Sequence, residues 1–303
     1  MPLAVRSLPL PSLLAAAVLL AGCGQLGDDT SGSGRRAVAS FYPLAWVTER
    51  VAGDGWTVDN LTQPGQEPHD LELTIAQTAA LEDADLIVVE EGFQPAVDAT
   101  VEGADAPVLN VAALVELIPA EHDAERDAEH GDLDPHFWLD PLLVADVADA
   151  VADELGEVDP GAAQTYADNA ATLRAELESL DADYAAGLAS CERTTTVVSH
   201  RAFGYLARYG LDLEPIAGLS PDAEATAADL AHLQELITED GITTVFSEPL
   251  ASPKMAEALA DDLGVSTAVL DPIEGLSDDT ADEDYLSLMR ENLTALQQAN
   301  GCS

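Results

Sequence analysis

Positive charge is scarce in this sequence. Its 303 residues include 11 lysines and arginines against 57 aspartates and glutamates, which gives a formal net charge of −46 at pH 7. A chain with this charge repels phosphate backbones at ordinary salt concentrations, so nucleic-acid binding and docking through a basic patch are excluded. The acidity is typical of a solvated surface, and it is compatible with cations as ligands.

Cysteine is also rare, and the common local metal and catalytic motifs are missing. The three cysteines form no CxxC pair, and the sequence contains no HExxH, HxH or GxSxG motif. Any metal site must therefore be assembled by the fold from distant segments.

The chain is not expected to be disordered. Hydrophobic residues make up 47% of it and charged residues 22%, so it has enough apolar surface to form a core.

The N-terminal segment is typical of an exported protein. An apolar run over residues 8–20 follows Arg6 and ends in Leu-Ala-Gly-Cys at 20–23. The run is too short to serve as a membrane-spanning helix. Leu-Ala-Gly-Cys resembles the lipobox of prokaryotic lipoproteins, in which cleavage before the cysteine is followed by its lipidation. Residues 1–22 are therefore predicted to be a lipoprotein signal peptide and Cys23 the lipidated residue, with an ordinary secretory signal as the alternative.

The other two cysteines, Cys191 and Cys302, remain after this processing. In an exported chain, an even number of cysteines is most simply interpreted as disulfide-bonded. We therefore predict a Cys191–Cys302 disulfide that ties the start of a C-terminal lobe to the chain end.

Strand-like runs alternate with helical stretches along the chain, which predicts an α/β fold. Residues 23–36 are rich in Gly and Ser, so they are predicted to be a flexible tether. The alternation predicts an N-terminal α/β lobe over 37–159 and a second one over 191–303. Between them, 160–190 begins with a proline and contains few helix breakers, which predicts a linker helix about 40 Å long. The predicted fold is two sheet-containing lobes joined by this long rigid helix.

Three histidines occur in a shared context. His69, His136 and His200 each lie where a proline or a finished strand gives way to the next element. Because ligands of open α/β sheets collect at the carboxyl ends of strands, three imidazoles could converge there. Asp271 ends another apolar run and is the fourth candidate ligand, with Glu67 as an alternative carboxylate. A single histidine in such a context more often caps a secondary-structure element or forms ordinary hydrogen bonds within the protein. The three contexts together nevertheless favour a metal site.

The donor set favours zinc, which accepts nitrogen and oxygen ligands in a tetrahedron, over calcium or magnesium, which prefer oxygen cages. Three neighbouring carboxylates, those of Asp70, Asp134 and Asp140, could accept the non-ligating N–H of a histidine, although helix capping is equally available to them. His232, in DLAHLQEL, has the sequence context of a helix face and is excluded from the site.

Five segments resemble the solute-binding lipoproteins of zinc and manganese ABC importers. In chain order they are SFYPLAWVTERVAGDGW at 40–56, EPHDLELT at 67–74, DPHFWLDP at 134–141, SHRAFGYLARYGL at 199–211 and FSEP at 246–249. The resemblance extends over essentially all of 37–303. It implies two α/β lobes joined by one long helix that limits lobe closure, with the metal held in the cleft between the lobes.

Carried over to this chain, the first three ligands of that family fall on His69, His136 and His200, and its closing carboxylate falls on Asp271. A histidine at the third position resembles the zinc branch, whereas glutamate there would resemble the manganese branch. Zinc-type members often carry a His-rich acidic loop before the second ligand. The charged segment 121–134, predicted to be a mobile surface loop, contains only His122 and His130, so its role in metal binding stays open.

The resemblance implies a monomer that captures Zn²⁺, or alternatively manganese or iron, and delivers it to a cognate ABC permease. Its membrane contact would be the lipid anchor alone, at the outer face of the cytoplasmic membrane. An exported zinc hydrolase with Glu248 as general base is a rival interpretation, and a surface adhesin is another. Neither rival has a supporting motif, so the protein is not expected to be an enzyme.

Overall fold

The structure is a computed structural model that describes residues 1, 34–120, 133–223 and 225–303. Residues 34–303 belong to one compact unit. Several sequence predictions lie outside the described residues: the signal peptide beyond its first residue, the lipidated Cys23, most of the tether, and the loop histidines His122 and His130. None of the described helices combines the length and the apolar character needed to cross a membrane.

The N-terminal lobe is built on a parallel sheet of four strands. The strands are β1 (Arg35–Ala39), β2 (Trp56–Asn60), β3 (Leu86–Val89) and β4 (Val108–Asn110). Helices connect successive strands, namely α1 (Tyr42–Ala52), α2 (Ile75–Glu82) and α3 (Pro95–Val101). The strand order is β2-β1-β3-β4. All pairs in this order are parallel, as expected for strands joined by crossover helices.

Strand β1 begins two residues earlier than the sequence suggests, because Arg35 and Arg36 belong to the strand and not to the tether. They pair with Trp56 and Thr57 of β2. The Arg35 side chain also forms an ion pair with Asp159 at 2.8 Å. The Arg36 side chain forms one with an aspartate of β2 at 2.9 Å. These tertiary contacts compensate for the low hydrophobicity of the two arginines.

The C-terminal lobe repeats the same strand order. Its strands are β5 (Thr195–Val198), β6 (Asp212–Pro215), β7 (Thr244–Ser247) and β8 (Ser266–Val269), and they lie in the order β6-β5-β7-β8. Its helices are α6 (Ala227–Glu239), α7 (Lys254–Leu263) and α8 (Tyr285–Asn300). Each lobe therefore presents the carboxyl ends of a parallel sheet, and the predicted fold class is confirmed.

Two long helices connect the two sheets, α4 (Pro141–Val158) and α5 (Ala163–Gly187), and α5 contacts elements of both lobes. The 25 residues of α5 span about 37 Å. Its buried side chains recur every three or four positions, and they pack against α1, α4 and α8. Near the start of α5, the Tyr166 hydroxyl accepts a hydrogen bond from Trp56 of the N-terminal lobe at 2.9 Å. Near its end, the Tyr184 hydroxyl donates to the Met289 carbonyl of the C-terminal lobe at 2.6 Å.

The largest hydrophobic cluster extends through both lobes and the two long helices. Trp138, Tyr184 and Tyr285 are among its largest fully buried side chains. Because this core is continuous, separating the lobes would expose large aromatic groups to water. The long helix and the shared core together oppose a wide hinge opening.

A disulfide joins Cys191 to Cys302, which confirms the predicted bond. Cys191 precedes β5, and Cys302 follows α8. Two further hydrogen bonds support this junction, since the backbone amides of Glu192 and Arg193 both donate to the Asn300 carbonyl.

Candidate metal centre

Four side chains from distant segments converge between the lobes. They are His69, His136, His200 and Glu274, and their potential ligand atoms all lie within 4.8 Å of one another. Each of these residues is at most 3% exposed. Titratable groups are rarely buried so completely without a partner. The cluster is therefore arranged to interact with itself or with a bound ion.

One carboxylate oxygen lies near all three imidazoles. Oε1 of Glu274 is 3.5 Å from Nε2 of His69, 3.4 Å from Nε2 of His136 and 3.2 Å from Nε2 of His200. In a tetrahedral zinc site with bonds of about 2.0–2.1 Å, neighbouring ligand atoms are separated by about 3.3 Å. These nitrogen-to-oxygen distances fit that geometry, so the four residues can hold a tetrahedral divalent ion.

The topology delivers these side chains to one place. His69 lies in the loop that follows β2, and His136 immediately precedes the 3-10 helix Phe137–Leu139. His200 follows β5 by two residues, and Glu274 lies in the loop after β8. Loops at the carboxyl ends of parallel strands form the usual ligand crevice of α/β sheets. The two lobes thus each supply two members of the cluster.

Carboxylates orient two of the histidine rings. Oδ1 of Asp134 lies 2.7 Å from Nδ1 of His136 and also accepts the His136 backbone amide at 3.0 Å. Oε2 of Glu248 lies 2.6 Å from Nδ1 of His200. A hydrogen bond at Nδ1 directs the lone pair of Nε2 toward the centre of the cluster. Asp134 is one of the three carboxylates that the sequence predicts for this role, whereas Glu248 is not among them.

His69 is positioned mainly by packing and by its loop. Its ring meets the edge of Phe93, with ring centroids 4.7 Å apart. The loop before it is held by Gln94, whose side-chain amide donates to the Pro68 carbonyl at 3.0 Å and to the Thr62 hydroxyl at 3.0 Å. These buried bonds limit the positions that the His69 ring can adopt.

The other carboxylates considered from the sequence have different contacts. Asp140 caps α4 by accepting the Leu142 amide at 2.9 Å, which is the capping role left open above. Glu67 accepts the backbone amides of His69 at 3.1 Å and of Asp70 at 3.3 Å. Its Oε1 is 3.9 Å from Nε2 of His69, but Glu67 does not belong to the four-residue cluster.

Asp271 requires a correction, because Glu274 and not Asp271 is the carboxylate of the cluster. Oδ1 of Asp271 accepts the backbone amide of Ile273 at 2.7 Å, which is the hydrogen bond of an Asx-turn. Ile273 has a φ of 58°, a left-handed conformation that is uncommon for a β-branched residue. This turn directs the Asp271 carboxylate to its own backbone and carries Glu274 into the cluster.

Aromatic packing fixes the turn against the other lobe. The Trp138 indole donates to the Pro272 carbonyl at 2.8 Å, and the Tyr285 hydroxyl donates to the Trp138 carbonyl at 2.6 Å. Trp138 also packs against His136, with ring centroids 5.2 Å apart. The same indole therefore contacts the His136 side of the cluster and the loop that carries the carboxylate.

The electrostatics of the cluster combine burial with mutual attraction. Burial lowers the pKa of His69, although Glu274 opposes this effect. Burial also acts to lower the pKa of His200, but Glu248 and Glu274 outweigh it and raise that pKa to about 10. The pKa of His136 is raised in the same way, by Asp134 and Glu274 against burial. The three histidines hold the pKa of Glu274 well below its usual range despite its burial.

The chain is similar to the proteins of a known family. Residues 37–299 match the family model described as zinc-uptake complex component A, periplasmic (ZnuA). The chain belongs to this family. The resemblance stated from the sequence motifs is thereby confirmed, and the match covers both lobes of the ZnuA fold.

Two curated relatives agree with the assignment of this chain to the ZnuA family. The zinc-binding lipoprotein AdcA of Streptococcus pneumoniae is 37% identical over 274 residues, which cover 86% of this chain and 55% of that protein. The high-affinity zinc uptake system protein ZnuA of Bacillus subtilis is 33% identical over 300 residues, covering 93% of this chain and 94% of that protein. This chain thus matches about half the length of the pneumococcal relative.

A solved structure shows the same fold. The Zn(II)-bound ZnuA-like domain of Streptococcus pneumoniae AdcA superposes with a TM-score of 0.75 at 35% sequence identity. The comparison covers 88% of this chain and 98% of that domain. The two-lobe ZnuA fold is therefore shared with a protein whose structure contains zinc.

Proposed function

We propose that this protein captures Zn²⁺ outside the cytoplasmic membrane and delivers it to the permease of an ABC importer. The observation that carries the proposal is the convergence of three imidazole Nε2 atoms and one carboxylate oxygen in a buried cluster. Relatives described as zinc-binding and zinc-uptake proteins support it. The zinc ligands in this proposal are His69, His136, His200 and Glu274.

Zinc is favoured over manganese by the chemistry of the donors. Three neutral nitrogens suit zinc, whereas manganese prefers carboxylate, carbonyl and water oxygens. The direct test is metal analysis of protein purified without chelator, followed by competition between Zn²⁺ and Mn²⁺ for the metal-free protein. We expect one zinc per chain and displacement of manganese by zinc. Retention of manganese in the presence of equimolar zinc would instead support the manganese or iron alternative.

The choice of carboxylate can be tested with two isosteric variants. Glu274→Gln is expected to weaken zinc binding roughly 10- to 100-fold, because it removes the negative charge beside the ion. Asp271→Asn keeps the oxygen that accepts the Ile273 amide and should bind zinc with near wild-type affinity. Competition titration against a chelator measures both. A larger loss in Asp271→Asn than in Glu274→Gln would restore Asp271 as the ligand.

Zinc affinity is expected to fall as the pH falls. The raised pKa of His200, about 10, means that its ring is protonated at neutral pH in the metal-free protein, so zinc must displace a proton. Between about pH 9 and pH 7, affinity should therefore decrease about tenfold per pH unit for this proton.

A matched variant isolates the cause of this pH dependence. Glu248→Gln removes one of the two carboxylates that raise the pKa of His200, so the zinc affinity of this variant should depend less steeply on pH over the same interval. Chelator competition at several pH values gives both slopes. An affinity that is independent of pH in the wild type would show that zinc displaces no proton.

The geometry supports binding and not catalysis. Glu248, the candidate general base, bonds to Nδ1 of His200, on the opposite side of the ring from the Nε2 that faces the cluster. A catalytic zinc keeps one coordination position for water, whereas four protein ligands close the site. We therefore propose a binding protein without enzymatic activity.

The mode of attachment is part of the same proposal. We infer that Cys23 carries the lipid anchor, that the protein acts as a monomer at the outer face of the cytoplasmic membrane, and that the permease is its protein partner. Metabolic labelling with a radioactive fatty acid should mark the wild type and not a Cys23→Ser variant. Equal labelling of both proteins would contradict the anchor.

A further inference from the structure

The 3-10 helix Phe203–Tyr209 begins three residues after His200 and supplies none of the proposed ligands. It nevertheless belongs to the segment 199–211 singled out in the sequence. Three of its side chains, those of Tyr205, Arg208 and Tyr209, form hydrogen bonds with residues outside the C-terminal lobe. We call this element the 203–209 helix.

Tyr205 reaches the segment that precedes His136. Its hydroxyl donates to the Asp134 carbonyl at 2.7 Å and accepts the Ile118 amide at 3.1 Å. The Asp134 amide in turn donates to the Ile118 carbonyl at 2.9 Å. Tyr205 is 4% exposed, so these bonds form in a buried environment where they are difficult to replace with water. The Tyr205 hydroxyl, together with the bond between Asp134 and Ile118, thus holds the backbone of Asp134 in place.

Gly204 approaches the side chain of the same aspartate. A Cβ atom at this position would lie 2.7 Å from Oδ2 of Asp134 and 3.3 Å from Cδ1 of Ile118. The backbone of Gly204 is not in the left-handed region, so a larger residue is opposed here by lack of space and not by backbone conformation. The backbone of the 203–209 helix therefore packs directly on the carboxylate that orients His136.

We propose that Gly204 and Tyr205 are positioning residues for zinc binding. They hold Asp134, and Asp134 holds the ring of His136 through Nδ1. The helix that begins three residues after His200 in the C-terminal lobe therefore sets the orientation of a ligand in the N-terminal lobe. The inference rests on the proposed function, because it requires His136 to be a zinc ligand.

Two variants and a matched control test this proposal. Tyr205→Phe removes the bonds to Asp134 and Ile118, and Gly204→Ala forces the Asp134 carboxylate to move. Loss of a group that orients a metal ligand typically weakens binding about 10- to 100-fold, and we expect the lower end, about 10-fold, for Tyr205→Phe. Tyr209→Phe is the control, because its hydroxyl donates to Asp181 at 2.8 Å and has no bond to Asp134.

Zinc affinity should be measured by chelator competition, with thermal unfolding of the metal-free proteins in parallel. The visible spectrum of each Co²⁺-loaded protein reports coordination geometry, which a purely structural role would leave unchanged. We expect altered cobalt spectra for Tyr205→Phe and Gly204→Ala, and wild-type spectrum and affinity for Tyr209→Phe. If Gly204→Ala does not fold, Tyr205→Phe still decides the question.

The outcomes separate this proposal from the proposed function. Wild-type affinity and spectrum in a folded Tyr205→Phe variant would overturn the positioning role while zinc binding stands. An equal loss of affinity in Tyr209→Phe would also overturn it, because the effect would then be a general loosening of the 203–209 helix. A wild-type protein that binds no zinc would instead overturn the proposed function.

Discussion

Replacing His136 or His200 by alanine is expected to weaken zinc binding by about 100- to 1000-fold. Structural zinc sites with four ligands contribute about 10–16 kcal/mol in total, so one ligand accounts for roughly 2.5–4 kcal/mol. Both rings are completely buried, which leaves water little access to replace them. Competition titration with a chelator of known affinity measures the loss.

The alanine variants also leave a buried carboxylate without its partner, which could destabilise the fold and complicate the result. Glu248 is 6% exposed, and its Oε2 bonds to Nδ1 of His200. His200→Asn places an amide donor near the former position of Nδ1 but lacks Nε2. This variant should therefore keep the fold while it loses zinc affinity.

The control for these variants is His232→Ala. His232 lies on α6, is exposed and has no part in the cluster, so its removal should leave zinc affinity unchanged. Wild-type affinity in both His136→Ala and His200→Ala would remove the proposed site altogether. An equal loss in His232→Ala would point to nonspecific binding by surface groups.

Removing the Cys191–Cys302 disulfide is expected to lower the free energy of unfolding by about 4–5 kcal/mol. The bond joins residues 111 positions apart, and in the chain-entropy model a closed loop of about 100 residues contributes about 4.7 kcal/mol by restricting the unfolded chain. Urea unfolding of the Cys191→Ser/Cys302→Ser protein, compared with the oxidised wild type, measures the difference. Both proteins should carry Cys23→Ser so that no other thiol is present.

The experiment requires metal-free protein, because a ligand that binds the folded state adds its own stabilisation. Cys191 precedes β5 and Cys302 follows α8, whereas His200 lies beyond the opposite end of β5. The folded double variant should therefore bind zinc with wild-type affinity. Equal urea midpoints in the two proteins would show that the disulfide does not stabilise the native state.

The three histidines illustrate how far local sequence can indicate a site. Each was singled out because it follows a proline or a strand, and the structure brings all three into one cluster. The carboxyl ends of parallel strands share one edge of a sheet, so this local signal has a simple geometric meaning.

The carboxylate shows the opposite case. Asp271 and Glu274 lie in the same loop after β8, and both are buried. The choice between them depends on the left-handed turn at Ile273, which no residue type in the loop predicts, since glycine or asparagine would be expected there. The contact between Trp138 and the Pro272 carbonyl could not be predicted either, because the two residues are far apart in the chain.

The sequence by itself determined the alternation of strands and helices, the long helix between the lobes, the pairing of the two cysteines and the three imidazoles of the cluster. These features follow from local patterns: hydrophobic periodicity, helix-breaking residues and the position of a side chain at the end of a strand. Only the tertiary structure decided which carboxylate joins the imidazoles, and that Glu248 and Asp134 orient His200 and His136. The direction of a side chain depends on packing between segments distant in sequence, and no local pattern contains that information.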